Sequence, residues 1–356
     1  MDPSTAYDTI TAAAAAGGET KRFTTGDGTN YVYTYSPATN ASQPTFLLLH
    51  GYPSSRHSWR HQLHALARRG YGVLAPDLLG MGDSDKPTHL DAYGSKRISG
   101  HLKELLDHHE EESPRSDKSK VIGVGHDWGV AVLSKVAVWY PDRFSGLVFL
   151  SSAYFPPGVF FYLDAINRRT LGTLGYTQYG DWYFFNCFDA GRLIGEKRTK
   201  TNRGKPQLES FFHLLYHADA AEWGQNFAMI GAARAWLQVG TTQPLPTWLR
   251  LYSQPDAAES SLSYYRAAMC GIFEEDEAVL SDEDRKLRVP VVAIAGAKDQ
   301  VSTPDDMTAV TKPYATGGYT ECLLDAGHWV MLEQKEKVTS ILAEFAESLT
   351  AAHQVL

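Results

Sequence analysis

Short apolar runs alternate with amphipathic stretches between residues 45 and 150 of the chain. The apolar runs have the length of buried strands, and the stretches between them repeat apolar residues at helical spacing. We predict strands at 45–49, 72–75, 121–124 and 147–150, and helices at 57–69, 93–109 and 129–139. Strands that alternate with helices indicate an α/β fold, with a mostly parallel central sheet that helices cover on both faces.

Other patterns divide the rest of the chain. Residues 22–35 hold a Gly-Asp-Gly turn between β-rich runs and predict a hairpin, and strand patterns return at 289–294 and 321–324 before an amphipathic helix at 335–350. Between these parts the chain is rich in aromatic residues, Gly and Pro, and looks mostly helical. We therefore divide it into an N-terminal arm (1–20), a first core part (21–152), an inserted helical cap (153–284) and a second core part (285–356).

Composition excludes several functional classes. Hydrophobic residues make up 43% and charged residues 21% of the chain, which is typical of a globular protein, and the net charge of −8 does not favour nucleic acid as a partner. The three cysteines are far apart and form no CxxC motif, so we expect neither disulfides nor a metal site. Neither a signal peptide nor a membrane-spanning run is evident, and we expect a cytoplasmic protein without membrane insertion.

The stretch VIGVGHDWGV at 121–130 carries the first candidate chemistry. A buried strand runs into Gly-His-Asp-Trp-Gly and then into a helix, which is the context of a nucleophile elbow with Asp127 in the place of serine. Gly125 and Gly129 flank the bend because a sharp turn leaves no room for side chains. We expect Asp127 to be exposed above the sheet, with its ionised form favoured by the helix N-terminus. The alternative is that Asp127 merely caps the helix.

A second loop follows the strand at 45–49 and reads His-Gly-Tyr-Pro. The backbone N–H groups of Tyr52 and Trp128 could converge there as an oxyanion hole. His50 could be mistaken for a base, but we expect it to hold the loop by hydrogen bonds.

After the predicted cap, Asp299 and His328 each follow a strand. The chain order nucleophile, acid, histidine is the order of triads in α/β-hydrolase folds. Asp299 would fix the imidazole tautomer and His328 would act as a general base. Asp325 is a competing acid because it lies three residues before His328. We prefer Asp299 because its loop follows a long buried strand.

An aspartate nucleophile points to attack on a saturated carbon. A carboxylate can displace a leaving group there and form an alkyl ester, whose carbonyl then belongs to the enzyme and can be attacked by water. The leaving group could be a halide or the oxygen of an epoxide. An epoxide oxygen leaves better when a weak acid donates to it, and a protonated tyrosine can do so at neutral pH.

At this point the chain resembles the epoxide hydrolases of the α/β-hydrolase superfamily, over roughly residues 21–350. The resemblance rests on the following motifs: HGYP at 50–53, DLLGMGDSDKP at 77–87, GHDWG at 125–129, AGAKD at 295–299 and AGHWV at 326–330. It implies a covalent alkyl ester on Asp127, which water activated by His328 and Asp299 hydrolyses to give a vicinal diol.

The resemblance also implies two cap tyrosines that hydrogen-bond the epoxide oxygen. Tyr265, in Ser-Tyr-Tyr-Arg at 263–266, matches the later one. The earlier one belongs within GYTQYGDWYFFN at 175–186, where three tyrosines compete: Tyr176, Tyr179 and Tyr183. One register places Asp181 at that position, which would shift the role to Tyr179 or Tyr176, leave a single donor, or indicate a different substrate or altered chemistry.

Two other functions stay open. A haloalkane-type dehalogenase could use the same triad with Trp128 as a halide donor, although Tyr52 stands where such enzymes typically carry asparagine. A non-catalytic small-molecule binding protein could share the fold, although such proteins often lack a triad residue that this chain keeps. Many aromatic residues in the cap predict a small apolar substrate, no cofactor is required, and oligomeric state is not determined by the sequence.

Overall fold

A computed structural model gives the architecture of the chain. It describes residues 18–40, 42–111, 120–158, 162–177, 207–216, 225–226, 232–239 and 246–354. The predicted arm therefore lies largely outside the described residues, as do Tyr179, Asp181 and Tyr183 of the early cap.

An eight-stranded sheet forms the centre, in the order β1-β2-β4-β3-β5-β6-β7-β8. The strands are β1 Glu19–Thr24, β2 Asn30–Ser36, β3 Thr45–Leu49, β4 Gly72–Pro76, β5 Val121–His126, β6 Phe144–Leu150, β7 Val291–Gly296 and β8 Tyr319–Leu324. The predicted hairpin is present as the antiparallel pair β1–β2, and β2 pairs antiparallel with β4. All pairs from β4 to β8 are parallel, which confirms the α/β prediction.

The strands occur where the apolar runs predict them, with small shifts at their ends. β7 begins at Val291 instead of residue 289, because Pro290 has no N–H to donate to a ladder. Its carbonyl still accepts a hydrogen bond from the N–H of Leu147, at 3.0 Å. β3, β4 and β5 are buried along their length apart from Thr45, as expected for central strands with helices on both faces.

The helices of the core are α1 Arg60–Arg68, α2 Ser95–Glu111, α3 Trp128–Trp139, α11 Pro304–Thr311, α12 Val330–Glu333 and α13 Lys335–Gln354. Three short 3₁₀ turns occupy Arg56–Trp59, Leu90–Tyr93 and Pro141–Arg143. The stretch 57–69, predicted as one helix, thus begins as a 3₁₀ turn. Helix α11 was not predicted, because it buries just Met307 and Thr311 and so lacks an apolar stripe.

The helices described between β6 and β7 all lie inside the predicted limits 153–284. They are α4 Leu163–Leu174, α5 Gln207–Leu215, α6 Ala232–Val239, α7 Pro246–Tyr252, α8 Ala257–Ser261, α9 Ser263–Met269 and α10 Glu274–Glu277. We call them the cap. The division of the chain into domains at these limits stays a prediction. None of the described helices is long and apolar enough to cross a membrane.

A buried ion pair fastens the cap to helix α3. Lys135 Nζ lies 2.8 Å from Glu277 Oε1, and both side chains are almost fully buried. Glu277 also accepts a hydrogen bond from the N–H of Gly158, at the start of the insertion. The carboxylate of Glu277 therefore binds both the backbone at Gly158, near the start of the insertion, and helix α3, near its end. Burial lowers the pKa of Lys135 to about 8, although the charge of Glu277 partly opposes this.

Candidate active site

The chain bends sharply at Asp127 between β5 and α3. Asp127 has φ 53° and ψ −124°, a conformation that non-glycine residues rarely adopt. Its side chain makes no capping hydrogen bond to the helix, which argues against a purely capping role. The expectation that it is exposed is wrong, because just 14% of the side chain is accessible. The bend thus presents a carboxylate in a mostly buried site.

Close backbone approach explains two of the glycines around the bend. A Cβ atom on Gly129 would lie 2.1 Å from the carbonyl oxygen of Leu49, so the helix could not start where it does. A Cβ atom on Gly51 would lie 2.3 Å from Oδ1 of Asp127. Gly51 therefore lets the loop after β3 pass directly against the carboxylate.

This loop supplies a hydrogen-bond donor to the carboxylate. The backbone N–H of Tyr52 donates to Asp127 Oδ1 at 2.7 Å. The backbone N–H of Trp128, at the start of α3, also helps to lower the pKa of Asp127. Of the two N–H groups that the sequence suggested as an oxyanion hole, that of Tyr52 thus contacts Asp127 directly.

His50 holds this loop, as the sequence suggests. Its Nδ1–H donates to the carbonyl of Gly51 at 2.9 Å, and its Nε2 accepts from the N–H of Leu78 at 3.0 Å. This pattern requires the neutral tautomer. Burial lowers the pKa of His50, which agrees with a neutral ring.

Asp299 and His328 meet beside Asp127. His328 Nδ1 donates to Asp299 Oδ2 at 2.9 Å, and His328 Nε2 lies 3.6 Å from Asp127 Oδ2. Asp299 is buried, and its other oxygen accepts backbone N–H groups from Val301 at 2.8 Å and Ser302 at 3.2 Å. These bonds aim the carboxylate at the imidazole, which in turn faces the bend.

Charge interactions shift the pKa values of this group. Burial opposes the charged imidazole, but the charges of Asp299 and Asp127 outweigh it and raise the pKa of His328 to about 10. Burial likewise opposes the charge of Asp127, yet its interaction with His328 holds the pKa of this carboxyl below 3.8. The free protein therefore holds an imidazolium between two carboxylates at neutral pH.

The competing acid Asp325 lies elsewhere. Its carboxylate pairs with Lys298 at 2.7 Å on the surface, where 74% of the Asp325 side chain is exposed. Asp299 is the carboxylate that contacts His328, in agreement with our preference.

Aromatic side chains form the wall around the bend. The ring of Tyr265 in α9 packs edge-on against Trp128 at 4.8 Å and against Tyr52 at 5.2 Å, measured between ring centroids. Phe211 of α5 lies 6.2 Å from Tyr52. Tyr265, Tyr52 and Trp128, all singled out from the sequence, are thus brought together at the mouth of α3.

The early-cap tyrosines are placed differently. The hydroxyl of Tyr176 donates to the carbonyl of Gln300 at 3.3 Å, in the loop that carries Asp299. Burial raises the pKa of Tyr176. Tyr179 and Tyr183 lie outside the described residues. In this structure the Tyr176 hydroxyl therefore contacts the acid loop.

Three contributors to the site were not recognised from the sequence. His126 is buried, and its Nε2–H donates to the backbone carbonyl of His328 at 2.9 Å. Burial lowers the pKa of His126 to about 3, so its ring is neutral. Tyr216 and Trp329 stack on each other beside it. The position of His126 next to Asp127 was a signal in the sequence, whereas the contact between Tyr216 and Trp329 left none.

The chain matches known proteins over most of its length. The family model described as alpha/beta hydrolase fold matches residues 44–335. Epoxide hydrolase 4 of Mus musculus is 27% identical over 317 residues, covering 89% of this chain and 76% of that protein. Epoxide hydrolase A of Mycobacterium tuberculosis is 28% identical over 314 residues, covering 86% and 91%.

Solved structures agree with the fold. An epoxide hydrolase from an endophytic Streptomyces superposes with a TM-score of 0.73 at 23% identity, over 94% of this chain and 96% of that one. Epoxide Hydrolase A from Mycobacterium thermoresistibile gives a TM-score of 0.66 at 26% identity, over 92% and 98%. Together with the sheet order and the bend at Asp127, the match over residues 44–335 places this chain in the α/β-hydrolase fold family.

Proposed function

We propose that the protein is an epoxide hydrolase that opens a small apolar epoxide to a vicinal diol through an ester on Asp127. The observation that carries this proposal is the placement of His328 Nε2 3.6 Å from one oxygen of Asp127, while the N–H of Tyr52 binds the other oxygen. One oxygen is thus available for attack, and the other is held where negative charge develops later. The similarity to epoxide hydrolases of mouse and of Mycobacterium tuberculosis supports the same reaction.

In the first step Asp127 Oδ2 attacks an epoxide carbon and the carbon–oxygen bond of the ring breaks. The departing oxygen takes a proton from Tyr265, the hydroxyl that we propose as donor. Tyr265 is suited to this because its ring packs against Trp128 and Tyr52, directly beside the bend. The product of this step is an alkyl ester of Asp127 and a tyrosinate.

In the second step His328 accepts a proton from water, which attacks Cγ of Asp127. The negative charge develops on Oδ1, where the N–H groups of Tyr52 and Trp128 stabilise it. When the intermediate collapses, His328 gives its proton to the departing diol oxygen. The acid proton of Asp127 returns to Tyr265, and His328 takes back from solvent the proton that it loses when the ester forms, which restores the starting state.

The loss of charge on Asp127 prepares the base. Esterification removes one of the two carboxylates that raise the pKa of His328, so that this pKa falls and the imidazole becomes neutral at lower pH. Asp299 remains and keeps the ring oriented through Nδ1. His328 therefore changes from the imidazolium of the free protein to a base when water must be activated.

The substrate class follows from the lining of the site. Aromatic rings of Tyr52, Trp128, Tyr265 and Phe211 surround the mouth of α3, which favours an apolar epoxide. Tyr179 and Tyr176 are our candidates for a second hydroxyl donor. A cytoplasmic location stays part of this proposal, and cell fractionation would test it.

The test is a single turnover of styrene oxide by excess enzyme in heavy-oxygen water. We expect the label to enter Asp127 and the first diol to be unlabelled, because its new oxygen comes from the carboxylate. Label in the first diol would instead indicate direct attack by water. Release of halide from a haloalkane without epoxide turnover would favour the dehalogenase, and identical behaviour of wild type and Asp127→Ala would favour a binding protein.

A further inference from the structure

One cap side chain contacts both loops that meet at Asp127. Tyr216 follows the last residue of α5 and is almost fully buried. Its hydroxyl donates to the carbonyl of Pro53 at 2.8 Å. Its ring stacks on Trp329 with 4.1 Å between centroids and 13° between planes.

Each contact lies one residue from a group of the proposed mechanism. Pro53 follows Tyr52, whose N–H donates to Asp127 Oδ1. Trp329 follows His328, and its indole N–H donates to the carbonyl of Leu215 at 2.8 Å. The end of α5 is thus bound through Tyr216 to the loop of Tyr52 and Pro53, which we call the donor loop. It is bound through both Leu215 and Tyr216 to the loop of His328 and Trp329, which we call the base loop.

The base loop is also bound to His126, at the end of β5. Trp329 contacts the ring of His126 at 5.0 Å, on the core side. His126 in turn donates to the carbonyl of His328 at 2.9 Å. The indole therefore lies between a cap tyrosine and the histidine that precedes the nucleophile, so displacement of the cap at this point would act on the base loop.

We propose that Tyr216 is a positioning residue that holds the Tyr52 N–H in place for hydrolysis of the ester; this inference rests on the proposed function. The N–H of Tyr52 contributes differently to formation of the ester and to its hydrolysis. In the first step the charge on Asp127 decreases as the ester forms, so a displaced donor does not slow attack. In the second step negative charge returns to Oδ1, and a displaced donor stabilises it less.

The two steps are separated by steady-state kinetics. If attack is irreversible, kcat/KM reports the steps through ester formation, whereas kcat includes ester hydrolysis. Tyr216→Phe keeps the ring on Trp329 and removes the bond to Pro53. We expect kcat and KM both to fall about tenfold, with kcat/KM within a factor of two of wild type. The fraction of alkylated protein in quenched samples, measured by mass spectrometry, should rise.

Tyr154→Phe is the matched control. The Tyr154 hydroxyl also donates to a backbone carbonyl, that of Arg285 at 2.7 Å, but the contact joins two segments away from the loops at Asp127. Tyr154→Phe removes a bond of the same kind and should lower the thermal midpoint comparably while leaving kcat and KM unchanged.

A second variant, Trp329→Phe, removes the bond to Leu215 and retains a ring for stacking. It should raise the alkylated fraction as well.

The outcomes separate the two proposals. If wild type turns over no epoxide and forms no ester, the proposed function fails and this inference fails with it. If wild type is active and Tyr216→Phe matches either wild type or Tyr154→Phe in kcat and alkylated fraction, the positioning role alone is wrong. A fall in kcat/KM equal to the fall in kcat would also overturn it, because the donor would then act in both steps or the fold would be damaged. If Tyr216→Phe does not fold, Trp329→Phe decides by the same criteria.

Discussion

His328 Nε2 lies 3.6 Å from Asp127 Oδ2, while its Nδ1 donates to Asp299 at 2.9 Å. The longer distance exceeds that of a hydrogen bond, so the imidazole is bound to the acid and merely faces the carboxylate at the bend. A serine nucleophile would need the imidazole to remove its proton. An ionised carboxylate needs no such help, and the imidazole is left to act on water.

The charge on Asp127 should be visible in the titration of His328. Two carboxylates raise the pKa of this imidazole to about 10, and Asp127→Asn removes one of them. We expect NMR titration of the His328 ring to show a clearly lower midpoint in freshly purified Asp127→Asn protein than in wild type. An unchanged midpoint would mean that Asp127 does not interact with the ring.

The same shift links stability to pH. The folded pKa of His328 is raised from 6.5 to about 10, so the imidazolium stabilises the fold fully below pH 6.5 and progressively less as the pH rises toward 10. The thermal midpoint of wild type should therefore fall more across this range than that of Asp127→Asn. Parallel curves for the two proteins would contradict this linkage.

Replacement of the base should separate formation of the ester from its hydrolysis. In His328→Gln the carboxylate can still attack, but no base activates water, so a reactive epoxide should alkylate the protein once and turnover should fall by at least about 10². Mass spectrometry should find one adduct on Asp127. Asp127→Asn is the control and should acquire none; the absence of an adduct on His328→Gln would contradict the two-step scheme.

The two acids that the sequence offers as partners of the base provide a matched comparison. Asp299→Asn removes the charge that orients His328 and should lower kcat by about 10²–10⁴. Asp325→Asn breaks a surface pair with Lys298 and should leave kcat within a factor of two, because surface pairs contribute little. The measurement is steady-state turnover of styrene oxide. Equal losses of kcat in the two variants would contradict the proposed role of Asp299.

Adjacent tyrosines in α9 test the proposed proton donor. Tyr265→Phe keeps the ring against Trp128 and removes the hydroxyl, and we expect kcat/KM to fall about 10²-fold because the epoxide oxygen then leaves without a proton. Tyr264→Phe is the control, since Tyr264 is buried beside Tyr93 at 5.2 Å. A comparable loss in Tyr264→Phe would indicate that helix packing, and not the hydroxyl of Tyr265, is responsible.

Sequence patterns were sufficient for the sheet and for the residues at its edge. The central strands are unbroken apolar runs, and Asp127 and Asp299 each follow one of them, while His328 follows the neighbouring edge strand β8; a parallel sheet therefore brings all three to one edge. Backbone geometry was also predictable where glycine is required, as at Gly129. The exposure of Asp127 was predicted wrongly because the covering side chains come from distant parts of the chain.

The contacts made by the cap could not be predicted in this way. Tyr216 and Pro53 are 163 positions apart, and neither belongs to a periodic pattern that would bring them together. The placement of the Tyr176 hydroxyl on Gln300 likewise depends on how α4 ends against the acid loop. Such contacts depend on the packing of whole elements rather than on local sequence.

The ion pair between Lys135 and Glu277 limits which caps could be exchanged into this enzyme. A chimera that exchanges residues 153–284 for the equivalent segment of another hydrolase would discard Glu277 and leave the Lys135 ammonium in an apolar interface. An uncompensated buried charge of this kind costs about 3–5 kcal/mol, a large fraction of the stability of an ordinary domain. A chimera should therefore keep an acid at the position of Glu277 or replace Lys135 with methionine. Either choice would leave no unpaired charge between the exchanged cap and helix α3.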